Sequence, residues 1–426
     1  MNIWLTRALP VQQTVQTPVQ RIAVRTIIQM IIQTAVMLEQ ERAMEVRSSN
    51  NIEASPMELY IHIPFCIRKC DYCDFLSGPS DPGKRAAYVQ ALLKEIQAVK
   101  EGRGRSVSSI FIGGGTPSVL DEKFMGEILR EIRKDFKLQE DAEITIEVNP
   151  GTVDARKLQA YRSFGINRLS IGLQSPQDRE LKILGRIHNY RQFLETYKQA
   201  RDAGFDNINV DLMSAIPEQT YEDWIGNLRT VAELGPEHIS AYSLIIEEGT
   251  PFAERKLDLP DEDTEYEMYE AAARILAEYG YEQYEISNYA RKGRECRHNV
   301  GYWTRQDYLG FGLGAASLYG NLRFANTADW NRYLENSSDP EQIREKEPVL
   351  TTEDEMVEFM FLGLRMTRGI ARTDFARTFG CPVEKIYGEV LDRYMAMGML
   401  QEKEDRIFLT RPGIHVSNQI MAEFLL

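Results

Sequence analysis

Six short apolar runs, each followed by a longer amphipathic stretch, limit this chain to very few folds. The runs are Leu59–Ile63, Ser109–Ile112, Glu143–Glu147, Arg168–Gly172, Asn207–Leu212 and His238–Leu244. The stretches between them carry helical periodicity, as at Tyr88, Leu92, Leu93, Ile96 and Val99. Strand–helix alternation repeated this often predicts an α/β fold with a parallel sheet and crossover helices. Six such units can build a partial or a complete barrel, or an open sheet, and periodicity alone does not separate these. Their shared consequence is a site at the C-terminal ends of the strands.

Distinctive residues cluster at those ends. A cysteine loop follows the first run, Gly113-Gly114-Gly115-Thr116-Pro117 the second, and Glu147-Val148-Asn149-Pro150 closes the third. Gly172-Leu173-Gln174-Ser175 closes the fourth and Asp211-Leu212-Met213 the fifth. Five successive strand ends with polar or glycine-rich signals indicate one site assembled from several loops. The triple glycine is also compatible with a tight turn. It is not a P-loop, since no Gly-Lys-Ser/Thr follows it, but it lets backbone approach a ligand closely. Glu147 also reads as a surface carboxylate, and Arg186 as a solvated helix charge. Asp211 lies between Val210 and Leu212, where a carboxylate needs a partner.

The cysteines sharpen this picture. Cys66, Cys70 and Cys73 fall within eight residues, while Cys296 and Cys381 stand alone. An odd, clustered set is a poor disulfide framework and suits a reducing, cytoplasmic setting. Three close thiolates can grip three irons of a cubane and leave the fourth iron open. Zinc is the competing reading. It wants four ligands, and His62 is the nearest candidate for the fourth.

The spacing Cys66-x3-Cys70-x2-Cys73 resembles the signature of radical S-adenosylmethionine (SAM) proteins. In that family the methionyl group of SAM chelates the open iron of a 4Fe-4S cluster, which cleaves SAM to a 5′-deoxyadenosyl radical. The string His62-Ile-Pro-Phe-Cys66 more narrowly resembles the oxygen-independent coproporphyrinogen III oxidase family and its HemW-type haem chaperones, and the likeness extends over residues 57–426. It implies a partial parallel (β/α)6 barrel of radical SAM type, with Cys66, Cys70 and Cys73 as metal ligands. It further implies that Gly114, Gly115, Thr116, Glu147, Gln174, Arg186 and Asp211 surround SAM, and that Tyr60 and Tyr72 flank it.

Two positions favour the chaperone branch within that resemblance. The oxidases carry a further cysteine two positions beyond the third ligand, where this chain has Phe75. His298-Asn299-x-x-Tyr302-Trp303 resembles a hallmark of the chaperones, which implies haem binding at or near His298. Imidazole is a common axial haem ligand and Tyr302 and Trp303 offer aromatic surface, although a lone histidine in a loop is more often structural. Cys296 offers a thiolate two residues earlier or is a small buried apolar residue. The expected function is haem binding and transfer to apo-haemoproteins, with an electron donor for the cluster. The alternatives are an anaerobic coproporphyrinogen III oxidase or another radical SAM enzyme acting on tetrapyrroles.

The length of 426 residues suggests two or three domains. The expected division is an N-terminal extension at 1–56, a radical SAM domain at 57–300, a connecting segment at 301–350 and a C-terminal module at 351–426. Up to Met37 the extension has Arg7, Arg21 and Arg25 but no Asp or Glu. It reads as an unstructured or loosely helical arm, as an organelle transit peptide, or as sequence upstream of a true start at Met57. The C-terminal module shows three helical patterns and a short strand at Arg406–Thr410, which resembles an α+β winged helix. It holds 9 Lys/Arg against 12 Asp/Glu, and the whole chain carries a formal charge of -14. Phosphate neutralisation needs a basic surface, so nucleic acid is not an expected partner. No apolar run is long enough to span a bilayer, which leaves only peripheral membrane contact open.

Overall fold

The computed structural model describes residues 55–346 and 348–425. The N-terminal extension up to Ala54 lies outside the described residues. Strands β1 (Met57–Ile63), β2 (Ser106–Gly114), β3 (Lys137–Val148), β4 (Arg168–Gln174), β5 (Ile208–Ser214) and β6 (His238–Ser243) lie parallel, side by side, in chain order. A helix links each to the next, among them Pro82–Ala98, Glu122–Asp135, Ala155–Ser163, Tyr190–Asp202 and Tyr221–Glu233. Their starts follow from sequence. Asp81, Asp154, Asn189 and Thr220 each accept a backbone N–H at an N-cap, and the last two complete capping boxes.

Side chains on a strand alternate between faces. Leu169, Ile171 and Leu173 of β4, and Ile208, Val210 and Leu212 of β5, pack in the main core. Ser170, Gly172, Gln174, Asn209 and Asp211 point the other way, into a polar interior cavity. This alternation explains a carboxylate at position 211 inside an apolar run.

Among the described residues the sheet does not close on itself. Strand β6 pairs with β8 (Asn288–Ala290), which pairs with β7 (Glu282–Gln283), all antiparallel. On the other edge β9 (Tyr308–Phe311) runs parallel to β1, followed by antiparallel β10 (Ala316–Tyr319), β11 (Leu322–Asn326) and β12 (Arg344–Lys346). The result is a partial barrel within a twelve-stranded sheet. The stretch expected to be a connector therefore supplies four strands. Its runs are only three to five residues long and interrupted by glycine, too short for periodicity to register.

The C-terminal module has five described helices: Thr352–Gly363, Arg372–Phe379 and Glu384–Ala396, then the short Arg411–His415 and Ser417–Ala422 at the end of the chain. A hairpin of β14 (Leu400–Lys403) and β15 (Arg406–Leu409) follows the third of them, and β13 (Ile370–Ala371) pairs with β15. It has its own apolar core around Met360, Phe375, Tyr387 and Ile407. It also packs on the barrel: Glu358 takes Arg305 at 2.7 Å and Arg323 at 2.5 Å, and Glu270 takes Arg411 at 2.8 Å. Among the described residues no helix is long and apolar enough to cross a membrane.

Candidate functional site

The cysteine loop hangs between Phe65–Cys66 and Gly78–Pro79, which pair in parallel. Cys66 is buried, and Cys70 and Cys73 are half-buried. The loop is held from two sides. Asp71 N donates to Leu184 O, Asp71 O accepts from Phe252 N, and the Asp71 carboxylate takes Arg255 at 2.7 Å.

A hydrogen-bond chain ties two of the thiols to three strand ends. Thr116 Oγ1 donates to Cys66 Sγ at 3.5 Å and accepts from Asn149 Nδ2 at 2.8 Å. Arg186 donates to Asn149 Oδ1 at 2.8 Å, to Gly172 O at 2.6 Å and to Cys70 Sγ at 3.6 Å. Arg186 is thus a half-buried cation facing a sulfur, not a solvated helix charge. Asn149, the hinge of this chain, was not among the residues singled out from sequence. Its place after a strand-ending carboxylate was the available signal.

The glycine turn is a cradle. Gly114 has φ +110°, and a Cβ there would lie 2.5 Å from the His62 ring. A Cβ on Gly115 would lie 2.7 Å from Phe65 O. Gly114 N donates to Glu147 Oε2 at 3.1 Å, which turns that carboxylate toward the glycine turn. Gln174 ends β4 with φ +73°, at a register shift against β5, and its Oε1 accepts from Tyr242 OH at 3.0 Å. A non-glycine residue in that region is strained and re-aims the side chain.

These residues converge. Cys66, Cys70, Cys73, Tyr72, Gly114, Gly115, Thr116, Glu147, Gln174, Arg186 and Asp211 all line one cavity of about 520 Å³. Burial, with Asp211 nearby, pushes the Glu147 carboxyl up to about 8 against the Gly114 hydrogen bond. Burial also raises Asp211, although Asn209 and Ser240 hydrogen-bond it. Two half-buried carboxyls on the cavity wall, each with raised affinity for protons, suit a ligand that brings positive charge.

Tyr60 and His298 do not line the cavity. Tyr60 OH meets His62 Nδ1 at 3.0 Å, and its ring stacks on Phe111 at 6.5 Å. His298 is 1% exposed and stacks on the same Phe111 at 5.3 Å. Its Nδ1 meets Ser109 Oγ at 2.8 Å and its Nε2 meets Tyr302 OH at 3.0 Å. Both ring nitrogens are thus engaged in the protein's own hydrogen bonds. Burial lowers His298 to about 3 and raises Glu58, 3.6 Å away, to about 9, so the two meet as neutral groups. Both residues act one layer behind Phe111, which does line the cavity. Cys296 is buried, donates to Glu143 at 3.6 Å, is pushed up to about 12 by burial and is not among the residues that line the cavity. His62, the zinc alternative's fourth ligand, spends Nε2 on Leu76 O and Nδ1 on Tyr60.

His298→Ala is expected to lower stability by about 2–4 kcal/mol, from lost packing and the orphaned Ser109 and Tyr302 hydroxyls. Thermal melts check this. Haem binding by the folded variant should match wild type, and its loss in a folded protein would restore His298 as a contact.

Comparison with known proteins matches this geometry. A model of the radical SAM superfamily fits residues 60–231, and the HemN C-terminal domain fits residues 350–416. The haem chaperone HemW of Escherichia coli is 38% identical over 391 residues, 88% of this chain and 99% of that protein. HemW of Lactococcus lactis is 36% identical over 87% of this chain and 98% of its own length. The chain belongs to the HemW family of radical SAM proteins. The coproporphyrinogen III oxidase HemN of Escherichia coli, a radical SAM enzyme, superposes with a TM-score of 0.78 over 88% of this chain and 91% of its own. At 24% identity that likeness speaks to the fold.

The site fits the cofactors this family implies. Three thiols on one cavity wall suit a cluster that keeps one iron open. The glycine cradle, the two carboxyls and Arg186 suit a zwitterionic, cationic nucleoside.

Proposed function

We propose that this protein binds haem and delivers it to apo-haemoproteins in the cytoplasm, with a 4Fe-4S cluster on Cys66, Cys70 and Cys73 and SAM in the adjoining cavity. Phe75 carries this reading. It stands exposed at the cavity mouth, where the oxidase family has a cysteine. Ile245 is exposed on the same rim, and Ile67 and Ile187 are exposed beside Arg68. An exposed apolar collar with cations beside it is the surface that an apolar disc bearing carboxylates requires.

When bound, the cluster supplies an open iron for SAM and an electron drawn from an external donor. The chain's own residues do the positioning. Thr116 and Arg186 hold Cys66 and Cys70 in place. Gly114 and Gly115, lacking Cβ atoms, let the turn pack against His62 and Phe65 where it lines the cavity, and Glu147 and Asp211 balance the ligand's positive charge. Tyr72, packed on Phe252 at 6.5 Å, closes the cavity wall beside the cysteines.

Side-by-side anaerobic assays of the reconstituted protein test this. Stoichiometric haem binding and transfer to an apo-haemoprotein are expected, with no conversion of coproporphyrinogen III. Robust SAM-dependent decarboxylation would replace the chaperone reading with the oxidase one.

A further inference from the structure

Arg168 opens β4 at the deep end of the cavity, away from the cysteine loop, and lines it together with Ser170, Asn209 and Ser240. The residue is 2% exposed. Among the described residues no oxygen accepts a hydrogen bond from its guanidinium, and its Nε is a buried atom without a partner. Glu143 and Asp211 act on it through space, but both are engaged elsewhere. Glu143 Oε1 holds Arg297 N at 3.1 Å, and Asp211 Oδ1 holds Asn209 Nδ2 at 2.7 Å. Thr145, directly opposite Arg168 in the β3–β4 register, has a buried hydroxyl that is also unpartnered. Arg186 in the same cavity shows the contrast, with three hydrogen bonds to protein atoms.

A buried cation without acceptors is costly and is normally neutralised by a partner. A guanidinium is a planar fork that matches a carboxylate with two parallel hydrogen bonds. We propose that Arg168 anchors a carboxylate of the ligand held in this cavity. Resting on the function proposed above, that ligand is a tetrapyrrole held through a propionate, because the methionyl carboxylate of SAM belongs at the open iron beside the cysteine loop.

The test uses the full-length, anaerobically reconstituted protein as wild type, Arg168→Gln and Arg168→Lys. Circular dichroism and iron content confirm that each is folded and loaded. Haem, haem dimethyl ester and SAM are titrated into each. Arg168→Gln should weaken the carboxylate-bearing ligand about tenfold or more, and Arg168→Lys, which keeps the charge and loses the fork, should weaken it less. If haem weakens while its dimethyl ester and SAM do not, the propionate is the group held. If SAM alone weakens, Arg168 serves the SAM site and the propionate assignment falls. Unchanged haem affinity in folded Arg168→Gln overturns the proposal; if that variant does not fold, unchanged haem affinity in Arg168→Lys does so. A wild type that binds no haem would sink the chaperone reading, and titration of coproporphyrinogen III, which carries the same kind of propionates, would then decide this one alone.

Discussion

Alanine at Cys66, Cys70 or Cys73 is expected to cost the protein its cluster. Reconstituted wild type should hold about four irons per chain with the broad visible absorbance of a cubane, and each variant should fall to a small fraction of that. The thiols sit on a loop that Asp71 fastens by backbone and by Arg255, so losing one sulfur should leave the barrel folded. Circular dichroism near wild type alongside lost iron is the expected pair of results. An intact cluster in all three single variants would overturn the assignment of the loop. Because Arg186 spans from Cys70 to Asn149 and on to Thr116 at Cys66, Arg186→Ala should loosen iron as well, more mildly.

The second large effect concerns Glu147. Its carboxyl is raised from the ordinary 4.5 to about 8, chiefly by burial and then by Asp211, with Gly114 N opposing. Tyr60 and Tyr242 also feel its charge. In the ligand-free protein at pH 7 the group is therefore mostly protonated. Pairing with a cationic ligand requires the proton to leave, so SAM affinity should fall by up to about tenfold for each pH unit below 8. Glu147→Gln should weaken SAM by about 10- to 100-fold at pH 8.5, the worth of a hydrogen bond to a charged group, and should flatten the pH slope. Calorimetric titration at several pH values reads both. The sign for folding runs the other way. A raised carboxyl contributes stability that is fully present below 4.5 and is lost as pH rises through about 8. A pH-independent SAM affinity in wild type would remove Glu147 from the ligand's charge partners.

Much of the site was legible because parallel α/β folds put loops at strand ends, and strand ends can be found from periodicity. The six apolar runs each became a parallel strand, and eleven of the thirteen residues singled out line one cavity. The two that do not, Tyr60 and His298, were picked by motif. A motif shows that a residue matters without showing which layer it occupies. Both turned out to brace Phe111 from behind. Arg168 went unnoticed for the opposite reason. It begins a strand, where a charge ordinarily reaches solvent, and only the surrounding strands show that it is enclosed.

The sequence by itself determined the alternation of strands and helices, the ligand loop and the polar strand ends, because these depend on local spacing. Tertiary structure decided how the sheet ends: β8 and β9 take the free edges of β6 and β1, and the barrel stays open. It also decided which buried charges have partners, since hydrogen bonds across strands depend on register and depth. Arg186 and Arg168 look alike as letters in a chain. In the fold one is tied to a sulfur and two strand ends, and the other is left with its guanidinium free.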